Sequence, residues 1–172
     1  SARFVNDWTT NAGAEQATDV MAANHAMITS SATALAIGGT GVSGAMGTEI
    51  VERSTKAEVV DGARVYAQYA ATVKAVSTNA VAQIAAGAAG GELYGVAGSG
   101  DVVLLKGLTL AQVDNSAIRA NSVSVVADGT NASNLVAGSA SRGGALLGAG
   151  VGLSFTVNVS GSTVRALVNN ST

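Results

Sequence analysis

The segments T-K-A-E-V-V-D-G-A from Thr55, T-L-A-Q-V-D-N-S-A from Thr109 and V-R-A-L-V-N-N-S-T from Val164 are three versions of one short sequence. Their first residues are evenly spaced, at intervals of about 54 residues. Each has alanine at its third position and valine at its fifth, and each ends in a polar turn signal. Self-similarity at a fixed spacing indicates stacked units that share one elongated core.

A pair of adjacent glycines repeats together with this nine-residue segment. Double glycines occur at 38–39, 90–91 and 143–144, at nearly the same spacing. We therefore predict one domain over residues 1–172, with repeats near 31–63, 64–117 and 118–172. Terminal repeats often differ from the others, so residues 1–30 are expected to be a cap or a worn first coil, that is, a first repeat whose sequence has diverged. Residues 14–28 are the candidate capping helix.

The composition favours closely stacked layers of small side chains over a globular core built on large aromatic residues. Of the 172 residues 48% are hydrophobic but only 3% are aromatic, and 22 are glycine. Proline, which removes a hydrogen-bond donor from a sheet, is absent, as is cysteine, so disulfides and thiolate metal sites are excluded. A net charge of −2 with 12% charged residues gives no electrostatic reason to expect nucleic acid as a partner.

Strand patterns are clearest near the carboxyl terminus. Residues 153–159 alternate strictly between apolar and polar, and 102–105 form a continuous apolar run, as in a strand buried on both faces. The uncharged stretch 143–164 is long enough for a membrane helix, but its period-2 alternation favours a strand, so no membrane insertion is expected. We predict that Val157, Val159, Ala166 and Val168 point inward, and that Thr156, Asn158 and Leu167 point outward or toward a second layer.

Other segments are assigned by comparing the repeats. Residues 63–89 are rich in alanine and have helical spacing, but the equivalent stretch 117–142 carries Asn and Asp-Gly, which disfavour a helix interior. Both are therefore predicted to be β. Turns are expected at 61–62, 98–101 and 128–131.

The predicted fold is all-β, a right-handed parallel β-solenoid with repeats of about 54 residues. A repeat of this length should span two or three coils, giving roughly six to eight coils and a rod about 30–40 Å long. An antiparallel sandwich is the alternative, but it would not need the repeated segments.

The third repeat carries a family resemblance. The run G-A-G-V-G-L-S-F-T-V-N-V from Gly148, followed by V-R-A-L-V-N-N-S from Val164, resembles a recurring unit of large bacterial surface adhesins. These are the filamentous-haemagglutinin-like and leukotoxin-type filamentous adhesins and the giant repetitive autotransporters. The match is partial at 109–116 and weak in the first repeat. The resemblance implies a secreted or cell-surface β-helical shaft, and it transfers no catalytic residue.

Motifs for nucleotide or metal chemistry are few. The glycines 39, 41 and 44 match G-x-G-x-x-G with Asp61 about 20 residues on, but a dinucleotide site needs a helix to begin there, and the sequence predicts turn and strand. His25 is the only histidine, with Asp19 nearby, and no nucleophile motif accompanies them. The stretch 98–101, Gly-Ser-Gly-Asp, resembles a calcium-binding glycine repeat but lacks its nonapeptide period.

Acidic residues raise the possibility of polysaccharide cleavage, which needs two carboxylates converging across a groove. The candidates are Glu49, Glu52, Glu58, Asp101 and Asp114, with Tyr66, Tyr69 and Tyr94 as the only tyrosines for sugar rings. We expect these acids to lie at solvated edges. We assign no catalytic, cofactor-binding or metal-binding residue.

The function expected from the sequence is therefore structural. The chain should be a shaft or adhesive segment of a secreted or bacterial cell-surface protein. At its solenoid ends we expect either self-association into filaments or continuation of the same chain, and its surface should contact a host surface or carbohydrate. A β-helical polysaccharide-cleaving enzyme is the alternative.

Overall fold

A computed structural model describes residues 1–4, 9–11, 17–144 and 149–172 of the chain. Every regular element in this part is a strand. The strands are β1 (Ala2–Phe4), β2 (Thr9–Asn11), β3 (Thr18–Val59), β4 (Arg64–Tyr66), β5 (Ala70–Asp114), β6 (Ala117–Arg119), β7 (Ser122–Arg142) and β8 (Ala149–Asn169).

All of the strand pairs are parallel. One sheet has the order β1-β3-β5-β7, with β8 also paired to β5, and a second sheet has the order β2-β4-β6. Thr18 pairs with Ala71, Ala70 with Ser122 and Tyr94 with Ala149, so each partner lies one repeat farther along the chain. The predicted all-β class and the equivalence of the segments beginning at Thr55, Thr109 and Val164 are confirmed, since these three residues are stacked partners.

One repeat therefore forms one rung of the stack. Residues one repeat apart are direct neighbours in the sheet, so the expectation of two or three coils per repeat, and of six to eight coils in total, is wrong. Each rung is wide instead: β7 and β8 each have 21 residues, whereas a strand of a globular protein has about five or six. We call residues 18–38, 70–91 and 122–142 the first arms, and residues 40–59, 94–114 and 149–169 the second arms.

The two arms of a rung face each other and meet at the double glycines. The register shifts between Gly38 and Thr40, where the first arm of β3 passes into the second. All three double glycines line one depression at this end of the stack. Close approach explains part of the glycine content: a Cβ on Gly41 would lie 2.9 Å from the Gly90 carbonyl carbon. The double glycines therefore lie at the same end of every rung, offset by one residue in the strand register, since Gly38 pairs with Gly91 and Gly90 with Arg142.

Polar turns close the opposite end of each rung. Asp61, Asn115 and Asn170 have φ values of 60°, 47° and 45°, the left-handed region that Asn and Asp tolerate better than most residues. The turns stack by hydrogen bonds: the Gly62 amide donates to the Asn115 carbonyl at 2.8 Å, and the Asn115 amide donates to the Asn169 carbonyl at 3.1 Å. The turn predicted at 61–62 is confirmed.

The apolar core lies next to these turns, where the arms and the short strands of the second sheet meet. Its buried members are small or β-branched, among them Val59, Ala63, Val65, Val73, Ala111 and Val113. Farther from the turns, a second buried apolar cluster lies between the arms and consists of Val51, Val81, Val103 and Leu105. Interior positions nearer the double glycines are smaller still, at Ala85, Gly87, Ala89 and Ala97, so the space between the arms narrows toward that end.

Several local predictions need correction. Residues 18–28 belong to strand β3 rather than to a capping helix, and residues 14–16 lie outside the described part of the chain. The turns predicted at 98–101 and 128–131 are also wrong, because β5 and β7 run through them. The β assignment of 63–89 is confirmed by β4 and by the first arm of β5.

The orientation predicted for the start of β8 is wrong as well. Thr156 and Asn158 are stacked on Asp101 and Val103, which are fully buried, so they face the space between the arms. Val157 and Val159 point outward and are exposed. Strict alternation defines two faces of a strand but does not say which one is inside.

Farther along β8 the prediction agrees with the register. Ala166 and Val168 are stacked on the buried Ala111 and Val113, so their side chains project inward, although no further strand of the described chain covers them. Leu167 projects outward, as predicted.

Candidate functional site

The glycine motif lies inside a strand. Gly39, Gly41 and Gly44 all belong to β3, which continues without a helix to Val59. The helix N-terminus that would face a pyrophosphate is therefore missing at this place. Gly41 instead allows the neighbouring rung to approach.

The single histidine is on the outer face. His25 and Asp19 are both exposed on the first arm of β3. Among the described residues, no group of three or more His, Cys, Asp or Glu side chains is placed to hold a metal ion.

The acidic candidates are distributed over different faces. Glu49 and Glu52 are an odd number of residues apart on β3, so they project from opposite faces. Glu52 pairs with Lys106 at 3.3 Å, and both side chains are exposed, so the pair contributes roughly 0–1 kcal/mol. Asp114 accepts a hydrogen bond from Asn169 at 3.0 Å across the turn stack.

Asp101 departs from the expectation of a solvated edge, because it has no solvent exposure at all. It projects between the arms, where Gln83 reaches in from the opposite arm and is 1% exposed. A Cβ on Gly47, the partner of Asp101 in the preceding rung, would collide with the Gln83 amide and lie 2.8 Å from Asp101 Oδ1. The two polar head groups thus converge on the space that Gly47 leaves open.

A second polar layer lies between this site and the turns. Asn79 is buried and stacks on Asn131 of the next rung, donating from Nδ2 to its Oδ1 at 2.8 Å. The same amide lies 3.4 Å from Ser77 Oγ. In the third rung Asn158 donates across the gap between arms to Ser133. Interior amides therefore link both successive rungs and opposing arms.

The outer face of the second arms carries exposed apolar side chains, which we call the outer apolar face. Its in-register columns come from three rungs: Val42, Val96 and Val151; Met46, Gly100 and Phe155; Ile50, Leu104 and Val159. All of these residues are exposed or half-exposed except Gly100, which is buried. Phe155 packs over Gly100, where a Cβ would clash with its ring. Contiguous exposed apolar surface of this kind marks interaction sites in soluble proteins.

The stack has open edges in its described part. β7 and β8 pair only with β5, and every residue of β8 is exposed. At the other side, β3 pairs with β1 only over Ala57–Val59. Long rows of backbone N–H and C=O groups therefore face away from the stack at both sides, which is the geometry that recruits a further strand.

Comparison of the chain with protein-family models, with curated proteins and with solved structures finds no significant match. The described residues contain no helix of the length and hydrophobicity needed to cross a membrane.

Sequence reasoning misses Gln83 and assigns Asp101 to a solvated edge. A signal is present in both cases, because each interrupts a run of small or apolar residues, V-A-Q-I-A around Gln83 and D-V-V-L-L from Asp101. Residues an even number of positions apart on a strand project from the same face. A polar residue in such a run is therefore a candidate interior residue when it shares a face with buried apolar residues.

Proposed function

We propose that this chain is a structural and adhesive segment of a secreted or bacterial cell-surface repetitive protein, built as a right-handed parallel β-solenoid with repeats of about 54 residues. The observation that supports it most is the continuous parallel pairing of three long rungs, each in register with the next repeat. Such a stack serves as a stiff shaft because each added rung hydrogen-bonds along its whole length to the one before it. The resemblance of the third repeat to filamentous adhesins supports the same conclusion.

Extension occurs at the ends of the stack. The inward-facing side chains of β8 near its end are Val164, Ala166 and Val168. They stack on residues of β5 on one side and are exposed on the other. A further rung with the same spacing would cover these side chains and pair with the free edge of β8. That rung comes from a second copy of the chain or from a continuation of the same polypeptide.

Adhesion uses the outer apolar face. Leu153, Phe155 and Val157 project from β8 away from the interior and are exposed, so they are available to a host surface or a carbohydrate without disturbing the interior. The two parts of the proposal therefore use different surfaces and can be tested separately.

Light scattering across a concentration series tests the stacking. We expect the mean mass of the wild-type chain to rise with concentration, and Ala166→Lys/Val168→Lys to remain monomeric because two charges would have to be buried under the next rung. The matched control, Leu153→Lys/Val157→Lys, places two charges on the outer apolar face and should assemble like the wild type.

A wild-type chain that stays monomeric at every concentration would contradict stacking between copies. Loss of assembly in the outer-face control alone would show that copies associate side by side instead. Circular dichroism of each variant verifies that the β structure is retained.

A further inference from the structure

The buried carboxylate of Asp101 has no partner in the described structure. Neither Oδ1 nor Oδ2 accepts a hydrogen bond, and the side chain has no solvent exposure. An ionised carboxylate in such a place is strongly unfavourable unless another group neutralises it. The nearest basic residues along β3 and β5 do not do so, since Arg53 donates to Asn24 at 3.5 Å and Lys106 pairs with Glu52.

Two further buried oxygen atoms without partners belong to Gln83, on the opposite arm, and to Ser30, in the preceding rung. Gln83 Oε1 is buried and receives no hydrogen bond, and its amide converges with Asp101 on the space beside Gly47. In this structure the Gln83 atom nearest that space is Nε2. The O and N atoms of an amide exchange places on rotation of the head group, so Oε1 can face the same space instead. Ser30, the in-register neighbour of Gln83 on β3, also has a buried Oγ without a partner.

We propose that Asp101 and Gln83 bind one hard, oxygen-coordinated cation between the two arms, with Ser30 as a third donor. Carboxylate, amide carbonyl and hydroxyl oxygens are the donors that Na⁺ and Ca²⁺ prefer. The site supplies one negative charge, so Na⁺ balances it completely, whereas Ca²⁺ would leave one positive charge buried. Na⁺ is therefore the preferred occupant, and the cation would tie the first arm to the second at the middle of the stack.

Thermal unfolding at constant ionic strength tests the site, with choline chloride exchanged for NaCl in one series and supplemented with CaCl₂ in another. We expect the wild-type Tm to rise and saturate with Na⁺, with a smaller response to Ca²⁺. Asp101→Asn should lose this rise and should be more stable than the wild type in choline chloride, because it buries a neutral amide beside Gln83. Asp128→Asn, which removes an exposed carboxylate from β7, is the matched control and should keep the rise.

Direct binding provides a second readout that does not depend on stability. Broadening of the ²³Na NMR line should be seen with the wild type and with Asp128→Asn, and should be reduced in Gln83→Leu, which retains the carboxylate but removes an oxygen donor. A Tm that responds equally in Asp101→Asn and in the wild type would overturn the proposal, because the salt effect would then be general. The absence of any cation response in the wild type would also overturn it, since the carboxylate would then be neutralised by other means. A larger response to Ca²⁺ than to Na⁺ would contradict the assignment of a monovalent ion.

Discussion

Individual glycines set how closely the rungs and arms approach. Gly41 projects inward, and the hydrogen in place of a side chain leaves room for the Gly90 backbone of the adjacent rung. Gly44 lies on the same strand and projects outward, and a Cβ placed there would have no other atom within 4 Å. The two positions therefore differ in packing while sharing a strand, a residue type and an extended backbone.

Gly41→Ala should destabilise the fold by about 1–3 kcal/mol, because the added methyl group meets backbone atoms that cannot move independently. Gly44→Ala should change the free energy of unfolding by no more than about 0.5 kcal/mol. Denaturant unfolding of the two variants and the wild type measures both values. Equal effects at the two positions would contradict the inward orientation of Gly41.

At the scale of the strands, hydrogen bonds between amide side chains link neighbouring rungs. Asn79 on β5 and Asn131 on β7 are buried or half-buried, and the hydrogen bond between their side chains joins two rungs inside the stack. Because both groups are withdrawn from water, removing one leaves the other without its partner.

A double-mutant cycle should reveal this coupling. Asn79→Ala and Asn131→Ala should each reduce the free energy of unfolding by about 1–3 kcal/mol, and the double variant should lose less than their sum by about 0.5–1.5 kcal/mol. Asn134→Ala on the exposed outer face of β7 is the control and should have little effect. Strictly additive losses would show that the two amides do not interact.

The positions of the turns can be predicted from the sequence, whereas the length of the strands between them cannot. The repeated turns at Asp61 and Asn115 can be found because a left-handed backbone demands particular residues, and these recur at the repeat spacing. The length of the arms cannot be found in the same way. The stretches 98–101 and 128–131 have turn composition, yet each supplies small or polar side chains to a narrow interior.

The inside and outside at the start of β8 are reversed for a related reason. An apolar face is normally assigned to the core, but in the third rung the residues stacked on the buried Asp101, Val103 and Leu105 are Thr156, Asn158 and Ser160, and Val157 and Val159 lie on the outer face. The interior position of Asp101 leaves a signal in the sequence, but its placement opposite Gln83 does not. Such a site depends on which arm faces which, and a repeat pattern alone does not specify that.

At the scale of the whole molecule, the three long rungs of the described chain share one register. His25, Thr78 and Thr130 form one column on the outer face, with Thr78 between the other two. Neighbouring parallel strands are about 4.8 Å apart, which falls in the Cα separation that a disulfide spans, whereas two steps of about 4.8 Å exceed it. The chain contains no cysteine, so introduced pairs can be interpreted without interference.

Disulfide formation between such pairs, followed by mass spectrometry of the dilute monomer, tests the parallel stacking most directly. His25→Cys/Thr78→Cys and Thr78→Cys/Thr130→Cys should each form an intramolecular disulfide, while His25→Cys/Thr130→Cys should remain reduced, because Thr78 separates the two positions. Failure of both neighbouring pairs, or a disulfide between positions 25 and 130, would contradict the one-repeat, one-rung architecture.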